Sequence, residues 1–340
     1  MTKYLLLPAS LLFLACGGTK TAKDYAKADV PKYMNSITQA DLKKHLYIVA
    51  SDEMEGRNTG EPGQKKAGLY LIEEYKKIGV SFPKGATDWY QKVPSAFMTK
   101  GFGPKLNDSE NIWAYIEGSE KPDEVLVISA HYDHVGMKNG EVFNGADDDG
   151  SGTVALLEIA QAFMEAKKAG YGPKRSILFL HVTGEEHGLH GSRYYSENPL
   201  FPIANTIADI NIDMIGRRDV DHKDNGNYIY VIGSDRLSSD LHNINEAANA
   251  KYTKLELDYK YNDRKDPNRY YYRSDHYNFA KKGIPSIFYF NGVHEDYHKE
   301  GDEPEKIEYD LLAKRTQLAF VTAWELANRA ERPIVDKDGK

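Results

Sequence analysis

Residues 124–133 of the chain read EVLVISAHYD, and this stretch passes from a continuous apolar run to polar residues within a few positions. Such a short apolar run is typical of a β-strand that is covered on both faces. Runs of the same character recur along the chain: SILFLHV (176–182), ADINIDMI (208–215), YIYVIG (228–233) and PSIFYFN (285–291). These runs indicate the strands of one buried sheet.

Helical patterns separate the apolar runs. They extend from Ser151 to about Lys168, over 237–250 and 275–281, and through the amphipathic stretch EYDLLAKRTQLAFVTAWELANRA at 308–330. Alternation of strands and helices predicts an α/β fold, here a three-layer α/β/α arrangement with a central mixed, mainly parallel sheet. Because neither an internal repeat nor a break in composition interrupts residues 31–340, we expect a single catalytic domain there.

Composition excludes one class of partner. The 340 residues are 41% hydrophobic and carry a formal charge of −7, with lysine and arginine scattered along the chain. A nucleic-acid-binding protein would gather its basic residues into a patch or stripe. We therefore expect no nucleic-acid partner. The sequence leaves the oligomeric state open.

The N-terminal stretch MTKYLLLPASLLFLAC (1–16) has the layout of a secretory signal. Its apolar run is shorter than the about 20 residues that span a bilayer. The position of Cys16 directly after Ala15 resembles a bacterial lipobox, so we expect a signal peptide at 1–15, lipidation of Cys16 and a tether at 16–30. This predicts a lipid-anchored protein of the bacterial cell envelope, on the outer membrane and facing the periplasm. A plain signal peptide with an incidental cysteine is the alternative.

Polar side chains follow the predicted strands, at the edge where ligands bind in such sheets. The stretch NGADDDGSG (144–152) also sets three carboxylates, Asp147 to Asp149, between glycines. Either this is a solvated turn or the carboxylates hold a cation. Imidazole and carboxylate together are the ligands of a catalytic zinc site. A pair of ions also needs a bridging carboxylate, and hydrolysis needs a free carboxylate as base. The adjacent Glu185 and Glu186 can divide the tasks of base and ligand.

The order of these clusters resembles a known family. His131-Tyr-Asp133, Gly145-Ala-Asp147-Asp148, Gly184-Glu185-Glu186, Asn211-Ile-Asp213-Met and Asp296-Tyr-His298 are similar to the motifs of the co-catalytic di-zinc aminopeptidases, metallopeptidase family twenty-eight. SDEMEGRNTGEPG (51–63) and YYYRSDHYNFAKKGIP (270–285) resemble two further motifs of that family. The similarity extends from about Leu46 to the end of the chain. Together with the lipobox-like N-terminus, it indicates a lipoprotein-type bacterial member.

The resemblance implies a site for two zinc ions per chain. His131 and Asp213 match the terminal ligands of one zinc, and Glu186 and His298 match those of the other. Asp148 matches the bridging carboxylate. The fold implied is that of the zinc peptidases.

Three more residues receive roles from the resemblance. Glu185 matches the general base, and Asp133 matches the carboxylate that orients His131. Tyr297 occupies the position of a phenol that hydrogen-bonds the developing oxyanion in some members. The family also has a cis peptide bond after its bridging aspartate, which is Asp148 here.

The implied reaction is hydrolysis of the first peptide bond of peptides with a free α-amine. A glutaminyl cyclase with one zinc is an alternative, although His131 argues against it. A carboxypeptidase of the same fold is another alternative. It would need a cationic pocket, and Arg264, Arg269 and Arg273 could provide one. The last alternative is a lipoprotein that binds peptides without cleaving them, but such a protein has no need of the base Glu185.

Overall fold

The computed structural model describes residues 25–99 and 105–338. The predicted signal peptide and Cys16 lie outside these residues, as does the first part of the predicted tether. From Tyr25 the chain contacts the rest of the domain, since the Tyr25 hydroxyl donates a hydrogen bond of 2.5 Å to the Gly172 carbonyl. Within the described ranges, no helix has the length and apolar character needed to cross a membrane.

The secondary structure follows the predicted alternation. The described residues form the helices α1 Val30–Met34, α2 Gln39–Val49, α3 Pro62–Ile78, α4 Ser95–Met98, α5 Gly152–Lys168, α6 His190–Glu197, α7 Ser239–Ala248, α8 His276–Ala280 and α9 Tyr309–Asn328. The strands are β1 Tyr90–Val93, β2 Ser109–Ile116, β3 Lys121–His131, β4 Gly136–Lys138, β5 Glu141–Phe143, β6 Arg175–Val182, β7 Thr206–Ile212, β8 Tyr228–Ile232, β9 Glu256–Asp258 and β10 Ser286–Phe290.

An eight-stranded sheet forms the centre of the domain, in the order β1-β2-β6-β3-β7-β10-β8-β9. The pairs β6–β3, β3–β7, β7–β10 and β8–β9 are parallel, and the other three pairs are antiparallel. Strands β4 and β5 form a separate hairpin. The sheet is therefore mixed and mainly parallel, as predicted.

Helices cover both faces of this sheet. Because side chains alternate along a strand, β3 contributes to two apolar layers. Leu126 and Ile128 belong to the larger core, which α2, α5 and α9 complete. Val125 and Val127 belong to the smaller core on the opposite face, with apolar side chains of α6 and α8. The predicted three-layer α/β/α architecture is confirmed.

The parallel strands bring distant polar segments to one edge. Strands β6, β3, β7 and β10 are neighbours and run in the same direction. His131, the last residue of β3, lies opposite Val182, the last residue of β6. Asp213 follows directly after β7. The loops that carry the predicted ligands therefore begin side by side.

Three aromatic rings join α5 to α9 in the larger core. Phe163 lies with its ring centroid 5.0 Å from that of Phe320 and 5.8 Å from that of Trp324, and the Phe163 and Trp324 rings are stacked. All three side chains are buried. Their packing fixes α9 to α5. Helix α5 follows Asp147, Asp148 and Asp149, which are called the acidic triplet below.

Replacing Phe163 with alanine tests this packing. We expect Phe163→Ala to lower the free energy of unfolding by about 3–5 kcal/mol, because a buried ring leaves a cavity. Chemical denaturation measures the change. Leu69→Ala is the control, since Leu69 is 57% exposed and its loss should change the stability by no more than about 0.5 kcal/mol. Equal denaturation midpoints for the two variants would contradict the packing described.

Candidate metal centre

A fully buried arginine holds the loops beneath the site. The Arg57 guanidinium donates to the carbonyls of Tyr132 (2.9 Å), Val49 (2.8 Å), Asn144 (2.6 Å) and Gly145 (2.9 Å). It thereby connects the segment after β3 to the segment that enters the acidic triplet. Sequence reasoning gave Arg57 no role. Because its partners are backbone carbonyls, no side chain elsewhere in the sequence points to them. Only the position of Arg57 in the family-like motif at 51–63 indicated that it matters.

Asp302 holds the backbone of the acidic triplet. Its carboxylate accepts hydrogen bonds from the backbone N–H groups of Asp147 (3.0 and 3.1 Å) and Asp148 (3.0 Å). Burial, together with the nearby charge of Asp147, raises the pKa of Asp302 to about 6. The peptide bond between Asp148 and Asp149 is cis, as the family resemblance implies. Sequence reasoning also missed Asp302, because it lies far along the chain from its partners.

The outer two carboxylates of the triplet bind backbone groups. Asp147 accepts a hydrogen bond from the N–H of Gly216 at 2.6 Å. Asp149 accepts from the N–H groups of Gly152 (2.9 Å) and Met214 (3.1 Å). Burial raises the pKa of Asp149 well above its usual range. Both residues therefore lie beside the ligand groups and fix the loop, the arrangement expected of neighbours that are not ligands.

Asp148 lies at the centre of the five predicted ligands. Its Oδ1 is 3.2 Å from His131 Nε2, and its Oδ2 is 3.0 Å from His298 Nε2. Asp213 Oδ1 lies 3.6 Å from His131 Nε2, and Glu186 Oε2 lies 3.0 Å from His298 Nε2. The structure thus brings all five together as two groups that share Asp148.

The donor atoms fit divalent cations. Ligand atoms of His131, Asp148 and Asp213 lie within 4.8 Å of one another, as do those of His134, Asp148 and Glu186. His131 Nε2, Asp148 Oδ2 and Glu186 Oε1 are buried, and apart from the close imidazole–carboxylate contacts within the site they have no hydrogen-bond partner among the described residues. Burial of such groups is costly unless a charge or a metal compensates them. Imidazole nitrogen and carboxylate oxygen are donors that zinc prefers.

The electrostatics of Asp148 suit a bridging ligand. Burial opposes its ionisation, but contacts with the imidazoles of His131 and His298 outweigh burial and hold the pKa of Asp148 well below its usual range. The carboxylate therefore stays ionised at neutral pH. An ionised carboxylate with an oxygen facing each group can contact two cations at once.

Glu185 lies beside the ligands but outside both groups. Its Oε2 is 4.0 Å from His131 Nε2, and its backbone N–H donates to Asp133 Oδ1 at 3.3 Å. Burial raises the pKa of Glu185 well above its usual range, and the charges of Asp213 and Glu186 act in the same direction. A carboxylate whose pKa is raised is a better proton acceptor.

Asp133 contacts His131 chiefly through its backbone. The His131 Nδ1 atom lies 3.0 Å from the Asp133 carbonyl oxygen and 3.9 Å from its Oδ1. The carboxylate accepts a hydrogen bond of 2.7 Å from the Thr59 hydroxyl. The carbonyl fixes the orientation of the His131 ring, and the carboxylate binds the segment that carries Thr59.

Tyr297 packs against a predicted ligand and faces the cleft. Its ring stacks on that of His298 with centroids 3.9 Å apart. Arg273 donates to its hydroxyl at 3.4 Å. Burial and the surrounding carboxylates raise the pKa of Tyr297. Its phenol is therefore protonated at neutral pH and can donate a hydrogen bond.

A small pocket adjoins the predicted ligands. It is lined by the charged or polar side chains of Asp148, Glu185, Asp213, Arg273 and Tyr297. One wall is largely apolar and is formed by Met214 after β7, Tyr270 before α8, Phe288 and Phe290 in β10, and Val293 after β10. A molecule bound beside Asp148 would therefore contact both a charged and an apolar surface.

Comparisons with known proteins agree with this geometry. A probable leucine aminopeptidase of Trichophyton verrucosum is 27% identical over 309 residues, which cover 86% of this chain and 78% of that protein. A probable zinc metalloprotease of Pyrenophora teres f. teres is 26% identical over 66% of this chain and 52% of that protein.

Solved structures share the fold. The LapA aminopeptidase of Legionella pneumophila superposes with a TM-score of 0.70 at 21% identity, over 97% of this chain and 81% of that one. The zinc aminopeptidase BSAP from Bacillus subtilis gives a TM-score of 0.65 at 16% identity, over 89% of this chain and 99% of that one. The model of Peptidase family M28 matches residues 111–323, more than half of the chain. The predicted family and the prediction of an enzyme are therefore confirmed: this chain belongs to peptidase family M28.

Proposed function

We propose that this peptidase is an exported aminopeptidase that uses two zinc ions to remove the first residue of peptides with a free α-amine. One observation carries the proposal. Asp148 presents one oxygen to His131 and the other to His298, while Glu185 lies 4.0 Å from His131 outside both ligand groups. Two cations that share a carboxylate, with a separate carboxylate as base, would form one of the arrangements that support metal-assisted peptide hydrolysis.

The five ligands divide between the two ions. His131 and Asp213 would hold one zinc, Glu186 and His298 the other, and Asp148 both. Zinc bound there supplies Lewis-acid polarisation of the scissile carbonyl and lowers the pKa of a water molecule that serves as nucleophile. The names of the relatives, among them a zinc metalloprotease, support the choice of metal.

The chain's own groups manage the proton and the developing charge. Glu185, whose pKa is raised by burial, accepts a proton from the attacking water and passes it to the leaving amine. Tyr297 donates a hydrogen bond to the substrate carbonyl oxygen as negative charge develops on it. Asp133 supports this arrangement through its carbonyl, which fixes the ring of His131.

Charge around the cleft favours the amino end of a peptide. Asp213 and Glu186 would concentrate negative potential where the substrate's ammonium group binds. A carboxypeptidase is the second candidate, because the Arg273 guanidinium lines the cleft and forms no ion pair with a carboxylate of the described residues. Because the carboxylates around the cleft outnumber this single guanidinium, the charge favours the aminopeptidase.

The apolar wall of the pocket supports a preference for an apolar first residue. Phe288, Phe290 and Val293 offer no polar group to a side chain that enters between them. The relatives described as leucine aminopeptidases are consistent with this preference.

We also propose that the enzyme acts in the bacterial cell envelope. The signal-like run before Ala15 and the position of Cys16 support export and lipid anchoring. A lipid on Cys16 would place the enzyme at a membrane surface, where it meets peptides outside the cytoplasm.

Replacing the base without changing its shape tests the mechanism. We expect Glu185→Gln to lower kcat by on the order of 10²–10⁴-fold, because the amide cannot accept the proton. Metal analysis should still find two zinc ions per chain. Glu73→Gln is the control, since the Glu73 side chain is 58% exposed on α3. Near-normal turnover by Glu185→Gln would contradict the assignment of the base.

Substrate ends and chelation distinguish the candidate activities. A tripeptide with a free amine should be cleaved after its first residue, and its N-acetylated form should resist cleavage. A carboxypeptidase would cleave both. A zinc chelator should abolish turnover and added zinc should restore it. A glutaminyl cyclase would instead cyclise a glutaminyl peptide with one zinc per chain, and a binding protein would leave every substrate intact.

A panel of amino-acid anilides measures the pocket's preference. We expect kcat/KM for the leucine anilide to exceed that for the alanine anilide by more than about 10-fold, since the larger side chain contacts more of the pocket's apolar wall. Aspartate and glutamate anilides should react most slowly. The fastest reaction with an acidic anilide would show that Arg273, rather than the apolar wall, decides the preference.

A further inference from the structure

A further histidine lies against the second ligand group. His134 comes three residues after His131, and its side chain is fully buried. Its Nδ1 lies 2.7 Å from Glu186 Oε1 and 3.9 Å from Asp148 Oδ2. Neither ring nitrogen has another hydrogen-bond partner among the described residues. The imidazole is therefore aimed at the carboxylate of Glu186.

The surrounding backbone fixes the position of this ring. The backbone N–H of His134 donates to the Arg57 carbonyl at 3.2 Å, and the residue forms a parallel bridge with Asn58. A Cβ atom at Gly145 would lie 2.5 Å from His134 Cγ and Cδ2. The ring thus packs directly on the backbone of Gly145, where no larger residue fits, and it has little freedom to turn away from Glu186.

The contact between His134 and Glu186 is shorter than the spacing of two atoms that share one zinc ion. Atoms that share one tetrahedral zinc at the usual bond lengths lie roughly 3.4 Å apart. His298 Nε2 is 3.0 Å from Glu186 Oε2 and 3.0 Å from Asp148 Oδ2, whereas His134 Nδ1 is 2.7 Å from the other oxygen of Glu186. The shortest distance is that of a hydrogen bond to an ionised carboxylate. One oxygen of Glu186 faces His298, and the opposite oxygen faces His134.

We propose that His134 is a positioning residue for the second zinc: it donates from Nδ1 to Glu186 Oε1 and so directs Oε2 of that carboxylate to the ion that His298 also binds. The inference rests on the proposed two-zinc site. An outer hydrogen bond to a ligand fixes its orientation, and its loss typically weakens metal binding by about 10–100-fold. Because His134 contacts the group of Glu186 and not Asp213, its loss should affect one ion and not the other.

Zinc binding by two variants tests the proposal. The apo forms of the wild type, His134→Leu and His134→Asn are titrated with zinc by calorimetry, and bound zinc is counted by elemental analysis. In His134→Leu we expect the affinity for one of the two ions to fall by about 10–100-fold while the other is unchanged. His134→Asn should bind close to wild type, because its amide nitrogen can replace Nδ1 as the donor.

His187→Leu is the matched control. His187 lies next to Glu186 in the chain, but its Nε2 contacts Asn58 Oδ1 at 3.1 Å. This variant should keep both ions at wild-type affinity. If His134→Leu does not fold, His134→Asn alone tests the proposal. Its zinc affinity and the absorption spectrum of cobalt bound at its second site are then measured.

Two results would overturn the positioning role. One is wild-type affinity for both ions in His134→Leu. The other is a loss in His134→Asn as large as that in His134→Leu, with one imidazole fewer around cobalt, because His134 would then be a ligand itself. A wild-type protein that binds a single ion would instead refute the two-zinc proposal, and the inference with it.

Discussion

The carboxylate of Asp148 is the constraint on which the rest of the site depends. Its two oxygens face different imidazoles, those of His131 and His298, at 3.2 and 3.0 Å. Because both oxygens belong to one carboxylate, the segments that carry His131 and His298 must lie at fixed positions on either side of it. The parallel strands β3, β6, β7 and β10 meet this demand because their carboxyl ends lie at one edge of the sheet. The sheet therefore positions these segments, and the contacts of Asp148 limit how far they can shift.

Two buried groups of opposite charge hold Asp148 in place. The Asp302 carboxylate accepts from the backbone N–H groups of Asp147 and Asp148, and the Arg57 guanidinium donates to carbonyls on both sides of the site. Arg57 forms no ion pair with another of the described residues, but its charge lies close to Asp149 and Asp302 and offsets part of their repulsion. A loop of three adjacent carboxylates can therefore be buried because backbone donors and a nearby cation surround it.

The sequence predicted the central strands well and the contacts of the site only in part. The apolar runs identify β3, β6, β7, β8 and β10, because buried strands have a local signature. The short strands at the sheet edges, such as β1 and β9, have no comparable run. The ligands were assigned through a family resemblance, since a meeting between segments 131 and 298 leaves no local pattern. Arg57 and Asp302 bind backbone groups, which carry no side-chain signal, and the contact between His134 and Glu186 joins two segments that no local pattern connects.

The ligands differ greatly in their access to solvent. The side chains of His131, Asp148, Asp213 and Glu186 are between 1% and 11% exposed, whereas that of His298 is 39% exposed. His298 is therefore the predicted ligand with the most access to water. In the proposed two-zinc site, the ion held by Glu186 and His298 would exchange with solvent faster than the ion held by His131 and Asp213.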